Sequence, residues 1–106
     1  MKKSVLALLV VAVAACGASA IPEPTAVDAS RGRAHFPDLT LSELSHGRSL
    51  YVSRCGSCHA LKRPTELSAE RWQAEVEDMR AKNGVKLTEA DARAIVRYLA
   101  VASNPG

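Results

Sequence analysis

Five consecutive residues restrict the fold of this chain more than any other feature: Cys55-Gly56-Ser57-Cys58-His59. Two thiols three positions apart lie close together on one helical turn, and an imidazole follows the second thiol directly. The small residues between the thiols let the backbone lie close to a flat group. This C-x-x-C-H spacing is the signature of c-type haem attachment, in which Cys55 and Cys58 form thioethers with the two porphyrin vinyl groups. His59 then faces the iron as its proximal ligand.

Three other chemistries use a C-x-x-C pair, and they remain as alternatives. A thioredoxin-like dithiol needs a surrounding βαβ pattern, which we do not find in the sequence. A structural zinc ion takes four ligands, but beyond the motif only His35 and His46 remain as ordinary partners. A structural disulfide between Cys55 and Cys58 is the third alternative, because disulfides form in exported proteins. We favour haem attachment and therefore expect one covalently bound haem c.

The N-terminal residues predict export. Lys2 and Lys3 precede an apolar run from Ser4 to Ala15, which has the composition of a signal peptide. The run is too short for a permanent membrane-spanning helix, which needs about 20 apolar residues. We therefore interpret residues 1–15 as an export signal and exclude them from the fold.

Two cleavage sites compete in this signal. The first, Val13-Ala14-Ala15-Cys16-Gly17, resembles a bacterial lipobox, in which Cys16 is acylated and becomes the mature N-terminus. The second, Ala18-Ser19-Ala20, fits ordinary signal peptidase, with cleavage after Ala20. We favour the lipoprotein interpretation, which predicts a periplasmic protein held on a membrane by the lipid at Cys16.

Composition divides the remaining chain into two parts. Residues 16–37 are rich in Ala, Pro, Ser and Gly and have no apolar periodicity, so they predict a flexible tether before a folded domain at 38–103. A domain this small buries little apolar surface by itself, which favours a buried cofactor. Loss of the two signal lysines reduces Lys plus Arg from 14 to 12, against 11 Asp plus Glu. This near-neutral charge argues against nucleic-acid binding.

The domain predicts an all-α fold of three or more short helices. The first begins near Thr40 and runs toward Cys55, the second covers Ser68 to Lys82, and the third opens at Thr88. Each begins with a residue that caps helices well. The buried stripe of the last helix consists of Ala92, Ile95, Val96 and Leu99.

Residues 44–101 resemble a class I-type, single-haem cytochrome c domain, similar to cytochrome subunits of periplasmic dehydrogenases. The matching features are Gly47-Arg48-Ser49-Leu50-Tyr51 before the motif, Cys55 to His59, Trp72 and Met79 on the next helix, and Ile95-Val96-Arg97-Tyr98-Leu99 in the closing helix. The resemblance implies that the helices wrap around one covalently bound haem c. The ligating methionine of many such domains lies in a Pro-rich loop, whereas Met79 lies late in a predicted helix.

Met79 is the only methionine left once Met1 is removed with the signal. The resemblance implies that its sulfur is the distal iron ligand, which would raise the reduction potential relative to two histidines. The alternative is that Met79 fills space in the core beside Trp72. The rival ligands His35 and His46 are predicted at the surface.

These features predict an extracytoplasmic single-electron carrier. Its expected partners are redox proteins, with a periplasmic dehydrogenase as donor and another cytochrome or an oxidase as acceptor. We find no acid–base pair or nucleophile in the sequence that suggests an enzyme. The alternative function is a haem-based sensor or ligand-binding protein, in which the sixth iron position is open or labile and Met79 only packs in the core.

Overall fold

The computed structural model describes residues 21–56 and 60–106 of the chain. The predicted export signal at 1–15, both cleavage sites, Cys16, Cys58 and His59 therefore lie outside the described residues. The described residues form helices and no strand, which confirms the all-α prediction. The elements are α1 (Ala26–Gly32), α2 (Leu41–Leu50), a π-helix (Tyr51–Cys55), a 3₁₀ turn (Pro64–Glu66), α3 (Ala69–Lys82) and α4 (Glu89–Ser103).

The predicted capping residues begin the three longer helices. The side chains of Thr40, Ser68 and Thr88 each accept a hydrogen bond from the backbone N–H three positions later, at 3.0 to 3.2 Å. These bonds satisfy donors that have no partner inside the helix. The spacing at Thr40 predicts that Glu43 returns the bond, but its carboxylate instead accepts from Arg97 on α4 at 2.8 Å.

Helices α2 and α4 cross at Gly47. A Cβ atom at this position would overlap the carbonyl oxygen of Ala94 and lie 2.9 Å from Cβ of Tyr98. The missing side chain is therefore what lets the two helices approach so closely. In the sequence Gly47 signals only a local weakening of the helix, because the partner surface lies far along the chain.

The core is centred on α4. Ala92, Ile95 and Leu99 are buried as predicted, whereas Val96 is partly buried. Helix α3 packs against α4, and its Trp72 is buried. Among the described residues, each helix is too short or too polar to span a bilayer.

The N-terminal segment, residues 21–37, is folded rather than a flexible tether. Ile21 is only 1% exposed and belongs to the core. Tyr98 donates its hydroxyl hydrogen to the carbonyl of Pro22 at 2.7 Å, and Arg48 donates to that of Ile21 at 2.9 Å. The tether prediction is therefore wrong for this segment, and residues 16–20 lie outside the described part.

Helix α1 explains why composition missed this segment. It spans only seven residues, and a capping box closes its first turn: Asp28 N–H donates to the Thr25 hydroxyl, and Thr25 N–H donates to the Asp28 carboxylate. Seven residues are too few to develop apolar periodicity. The helix docks instead through small residues: a Cβ atom at Gly32 would come within 2.5 Å of a Leu39 methyl and 2.8 Å of a Val101 methyl, so these side chains would have to shift.

Candidate haem-binding site

An apolar cleft with a cavity volume of about 30 Å³ lies between the π-helix and α3. Cys55 and Met79, which are 24 positions apart in the sequence, both line it. The structure thus brings together the two predicted site residues that it describes. The other lining residues are Tyr51, Trp72, Val76, Val85, Leu87 and Leu99, together with the polar Lys62 and Glu75.

A π-helix carries the first motif cysteine into this cleft. The chain runs from α2 into Tyr51–Cys55 without a break, as predicted, but the helical turn is wider. Single π turns inside helices occur frequently at functional sites. Here Tyr51 is 4% exposed and Val52 is 40% exposed, while Cys55 packs against the core. Nothing in the sequence of this turn distinguishes it from an ordinary continuation of α2.

Two buried aromatic side chains hold the chain that follows the motif. Tyr51 donates its hydroxyl hydrogen to the carbonyl of Lys62 at 2.6 Å, and Trp72 donates its indole hydrogen to the carbonyl of Pro64 at 2.7 Å. Their rings meet edge to face with centroids 5.7 Å apart. Burial, and secondarily the neighbouring Cys55, raises the pKa of Tyr51 well above its usual range. The phenol therefore remains a neutral donor at physiological pH.

The loop after α3 contributes Val85 and Leu87 to the lining of the cleft. It turns at Gly84, whose φ of 68° suits glycine. Arg54, directly before the predicted thioether site, donates to the carbonyl of Lys86 at 3.2 Å. Arg80 donates to the carbonyl of Leu87 at 3.3 Å. These two arginines fix the loop so that its apolar side chains complete the lining.

The two remaining histidines of the described residues are away from the cleft. His46 is 57% exposed, and its Nε2 lies 3.1 Å from a carboxylate oxygen of Asp91. His35 is exposed at the end of the N-terminal segment. Neither lines the cleft, which confirms their prediction as surface residues. Met79, in contrast, does line the cleft.

The chemistry of the cleft fits a covalently held haem. A porphyrin needs apolar walls, a thiol at its edge and a soft or nitrogen donor facing the iron. Cys55, Met79 and the aromatic walls supply these within the described part. That part contains no βαβ unit of the kind that surrounds a thioredoxin-like dithiol.

Motif, cleft and all-helical fold together define a c-type cytochrome. The model of a family described as dihaem cytochrome c matches residues 51–105, just over half of the chain. This chain therefore belongs to the dihaem cytochrome c family. Neither the curated proteins nor the solved structures compared with it gave a match.

The family match confirms part of the predicted resemblance. It supports a c-type cytochrome with covalently bound haem c, and thus an electron carrier rather than an enzyme. It does not support the single-haem, class I-type assignment, since the family description implies two haems. The 106 residues contain one C-x-x-C-H motif.

Proposed function

We propose that this chain is an extracytoplasmic single-electron carrier with one haem c, attached to Cys55 and Cys58 and ligated by His59 and Met79. When bound, the haem supplies an iron that exchanges one electron between Fe(III) and Fe(II). The observation that carries the proposal is that Cys55 and Met79 line one apolar cleft. A neutral thioether in such surroundings favours the reduced iron.

Two of the titratable side chains that line the cleft, Tyr51 and Cys55, are unavailable for acid–base catalysis. Its titratable side chains within the described residues are Tyr51, Cys55, Lys62 and Glu75. Tyr51 is buried with a raised pKa and donates to a backbone carbonyl, so it does not exchange a proton near neutral pH. Cys55 becomes a thioether once the haem is attached. Apolar walls would keep water away from a haem bound in the cleft, which suits a carrier.

The proposal of one haem rests on the cysteine count. The chain has three cysteines, of which Cys16 adjoins the predicted signal. Cys55 and Cys58 form the remaining pair, and one haem c uses two thioethers. The second haem of the family description would need another attachment pair beyond these residues.

We also propose that the protein works in the periplasm, anchored by a lipid on Cys16 after removal of residues 1–15. Its partners would be a dehydrogenase as electron donor and another cytochrome or an oxidase as acceptor. Redox encounters of this kind use small, transient interfaces. The near-neutral charge of the mature chain leads us to expect only a modest salt dependence of docking. Fatty-acid labelling that is lost in Cys16→Ser would support the anchor, and labelling that persists would exclude it.

The test of ligation compares wild type with Met79→Ala, each matured with haem. In the oxidised wild type we expect a charge-transfer band from methionine to Fe(III), and in the reduced protein slow CO binding. Met79→Ala should lose the band and bind CO readily. Val76→Ala is the matched control, because Val76 lies on the same helix and lines the same cleft without a donor atom.

Two results would contradict the proposal. If Met79→Ala keeps the band and still excludes CO, Met79 is a core residue and another group ligates the iron. If the wild type is already high-spin and binds CO readily, the sixth position is open, which would favour the sensor or ligand-binding alternative.

A further inference from the structure

Two side chains in the cleft direct their only polar hydrogens at one short stretch of backbone. Tyr51 and Trp72 are 4% and 3% exposed. Their hydrogen bonds to the carbonyls of Lys62 and Pro64 measure 2.6 and 2.7 Å. We call these two side chains, with the two carbonyls that they bind, the aromatic clamp.

The clamp joins the three parts of the chain that carry the haem-binding residues. Tyr51 begins the π-helix that ends at Cys55. Trp72 lies on α3, two turns before Met79. The two acceptor carbonyls follow His59 by three and five positions. Each hydrogen bond therefore connects the backbone that leaves His59 to a different helix of the site.

The clamped backbone is itself locally closed. The carboxylate of Glu66 accepts from the backbone N–H of Arg63 at 2.5 Å, and Glu66 N–H donates to the Arg63 carbonyl at 3.0 Å. Pro64 is buried, and its turn packs on α4. These hydrogen bonds make the turn a locally closed unit, and the clamp ties this unit to the π-helix and to α3.

Displacement of the turn would leave buried donors without acceptors. An unsatisfied buried donor is destabilising, so both hydrogen bonds resist a shift between the π-helix, the turn and α3. Metal ligands depend on this kind of outer support, which holds them in the productive geometry.

We infer that Tyr51 and Trp72 are positioning residues that hold Met79 against the iron by fixing α3 and the π-helix to the backbone after His59. The inference rests on the proposed function, because it takes His59 and Met79 as the axial ligands. Neither aromatic side chain needs to touch the iron for this role. Loss of either hydrogen bond should make it easier for Met79 to leave the iron while the fold persists.

The test uses the haem-loaded protein and the variants Tyr51→Phe and Trp72→Phe, which remove a polar hydrogen but keep an aromatic ring. The matched control is Tyr98→Phe. Tyr98 is also buried and also donates to a backbone carbonyl at 2.7 Å, that of Pro22, but it does not line the cleft. The measurements are the rate of CO binding to the reduced protein, which requires Met79 to dissociate, and the charge-transfer band of the oxidised protein.

We expect each clamp variant to bind CO roughly fivefold faster than wild type, which is the factor that corresponds to a hydrogen bond of about 1 kcal/mol. The charge-transfer band should weaken in both. Tyr98→Phe should keep the wild-type rate and band, although it loses an equivalent bond. If Trp72→Phe does not fold, Tyr51→Phe decides, since it removes a single oxygen atom.

Each other outcome overturns the inference in a recognisable way. Slow CO binding in the wild type and in both clamp variants would contradict the positioning role of Tyr51 and Trp72 but leave the proposed ligation intact. An equal acceleration in Tyr98→Phe would show general loosening of the fold. Wild type that binds CO as fast as Met79→Ala would overturn the ligation by Met79 and the clamp together.

Discussion

Tyr98 is 2% exposed and donates its hydroxyl hydrogen to the carbonyl of Pro22 at 2.7 Å. Burial raises the pKa of Tyr98 from 10.0 to about 12. A folded-state pKa above the unfolded value means that the neutral phenol stabilises the fold. This contribution is fully present below about pH 10 and is lost as the pH rises through about 12.

The Tyr98→Phe variant should therefore show a pH-dependent difference from wild type. Near neutral pH we expect it to be about 1 kcal/mol less stable, because Pro22 loses a hydrogen bond. Between pH 10 and 12 the difference should shrink, since only the wild type carries the titrating phenol. Urea unfolding followed by circular dichroism at several pH values would measure it. A difference that is independent of pH would contradict the raised pKa.

Sequence patterns identified residues whose roles are local. Thr40, Ser68 and Thr88 cap helices because their partners lie three positions away. The hydrogen bond of Trp72 was beyond prediction, because its acceptor is a backbone carbonyl that any residue carries. The packing role of Gly47 has no local signal, because the residue that it contacts, Ala94, lies on another helix.

At the scale of elements, an arginine on α4 ties that helix to the start of α2. Arg97 is 14% exposed and lies 2.8 Å from a carboxylate oxygen of Glu43 and 3.1 Å from one of Asp38. Its guanidinium also lies 5.1 Å from the ring centre of Phe36. Burial alone would lower the pKa of Arg97, but its hydrogen bonds to both carboxylates outweigh burial and raise the pKa.

We expect Arg97→Leu to lower the free energy of unfolding by about 2 kcal/mol, because it removes charge-assisted hydrogen bonds from a shielded site. Arg93→Leu is the matched control: Arg93 is on the same helix and 3.7 Å from Glu43, but 58% exposed. Exposed pairs contribute less than about 1 kcal/mol. Urea unfolding of both variants would measure the difference. Equal losses in the free energy of unfolding would contradict a larger contribution from the shielded ion pairs of Arg97.

The elements differ in how far the sequence could predict them. The bounds of α3 and α4 follow from a cap and a regular apolar face. The π-helix has no such signal, because a wider turn uses the same residues as an α-helix. The path of the loop at 83–88 also has no sequence signal, because Arg54 and Arg80 donate to its backbone carbonyls, which every residue carries.

At the scale of the whole molecule, the folded domain begins earlier than the composition indicates. Ile21 lies in the core, and Tyr98 and Arg48 bind the carbonyls beside it. A Pro- and Ala-rich composition predicts a tether because it lacks periodicity. A segment that docks through one buried side chain and backbone carbonyls does not need periodicity.

Ile21→Ala should therefore destabilise the domain by about 3 kcal/mol, the usual cost of truncating a buried aliphatic side chain. Val27→Ala is its control in the same segment, since Val27 is 73% exposed, and we expect a change within about 0.5 kcal/mol. Thermal or urea unfolding would compare them. If neither substitution changed the free energy of unfolding, the segment would behave as the flexible tether that composition predicts.

The haem site was predictable in chemistry rather than in shape. The cysteine and histidine spacing specified the cofactor, and the resemblance implied Met79 as a ligand. The walls supplied by Val85 and Leu87 were missed because they lie in a loop whose path is determined by distant arginines.

The most direct test of this account is the intact mass of the mature protein, produced with a haem c maturation system and measured under denaturing conditions. We predict the polypeptide plus one covalent haem, lost when Cys55 and Cys58 are both replaced by Ala. The bare polypeptide mass, without visible absorbance, would contradict the assignment as a cytochrome. A mass with two haems would contradict one haem per chain.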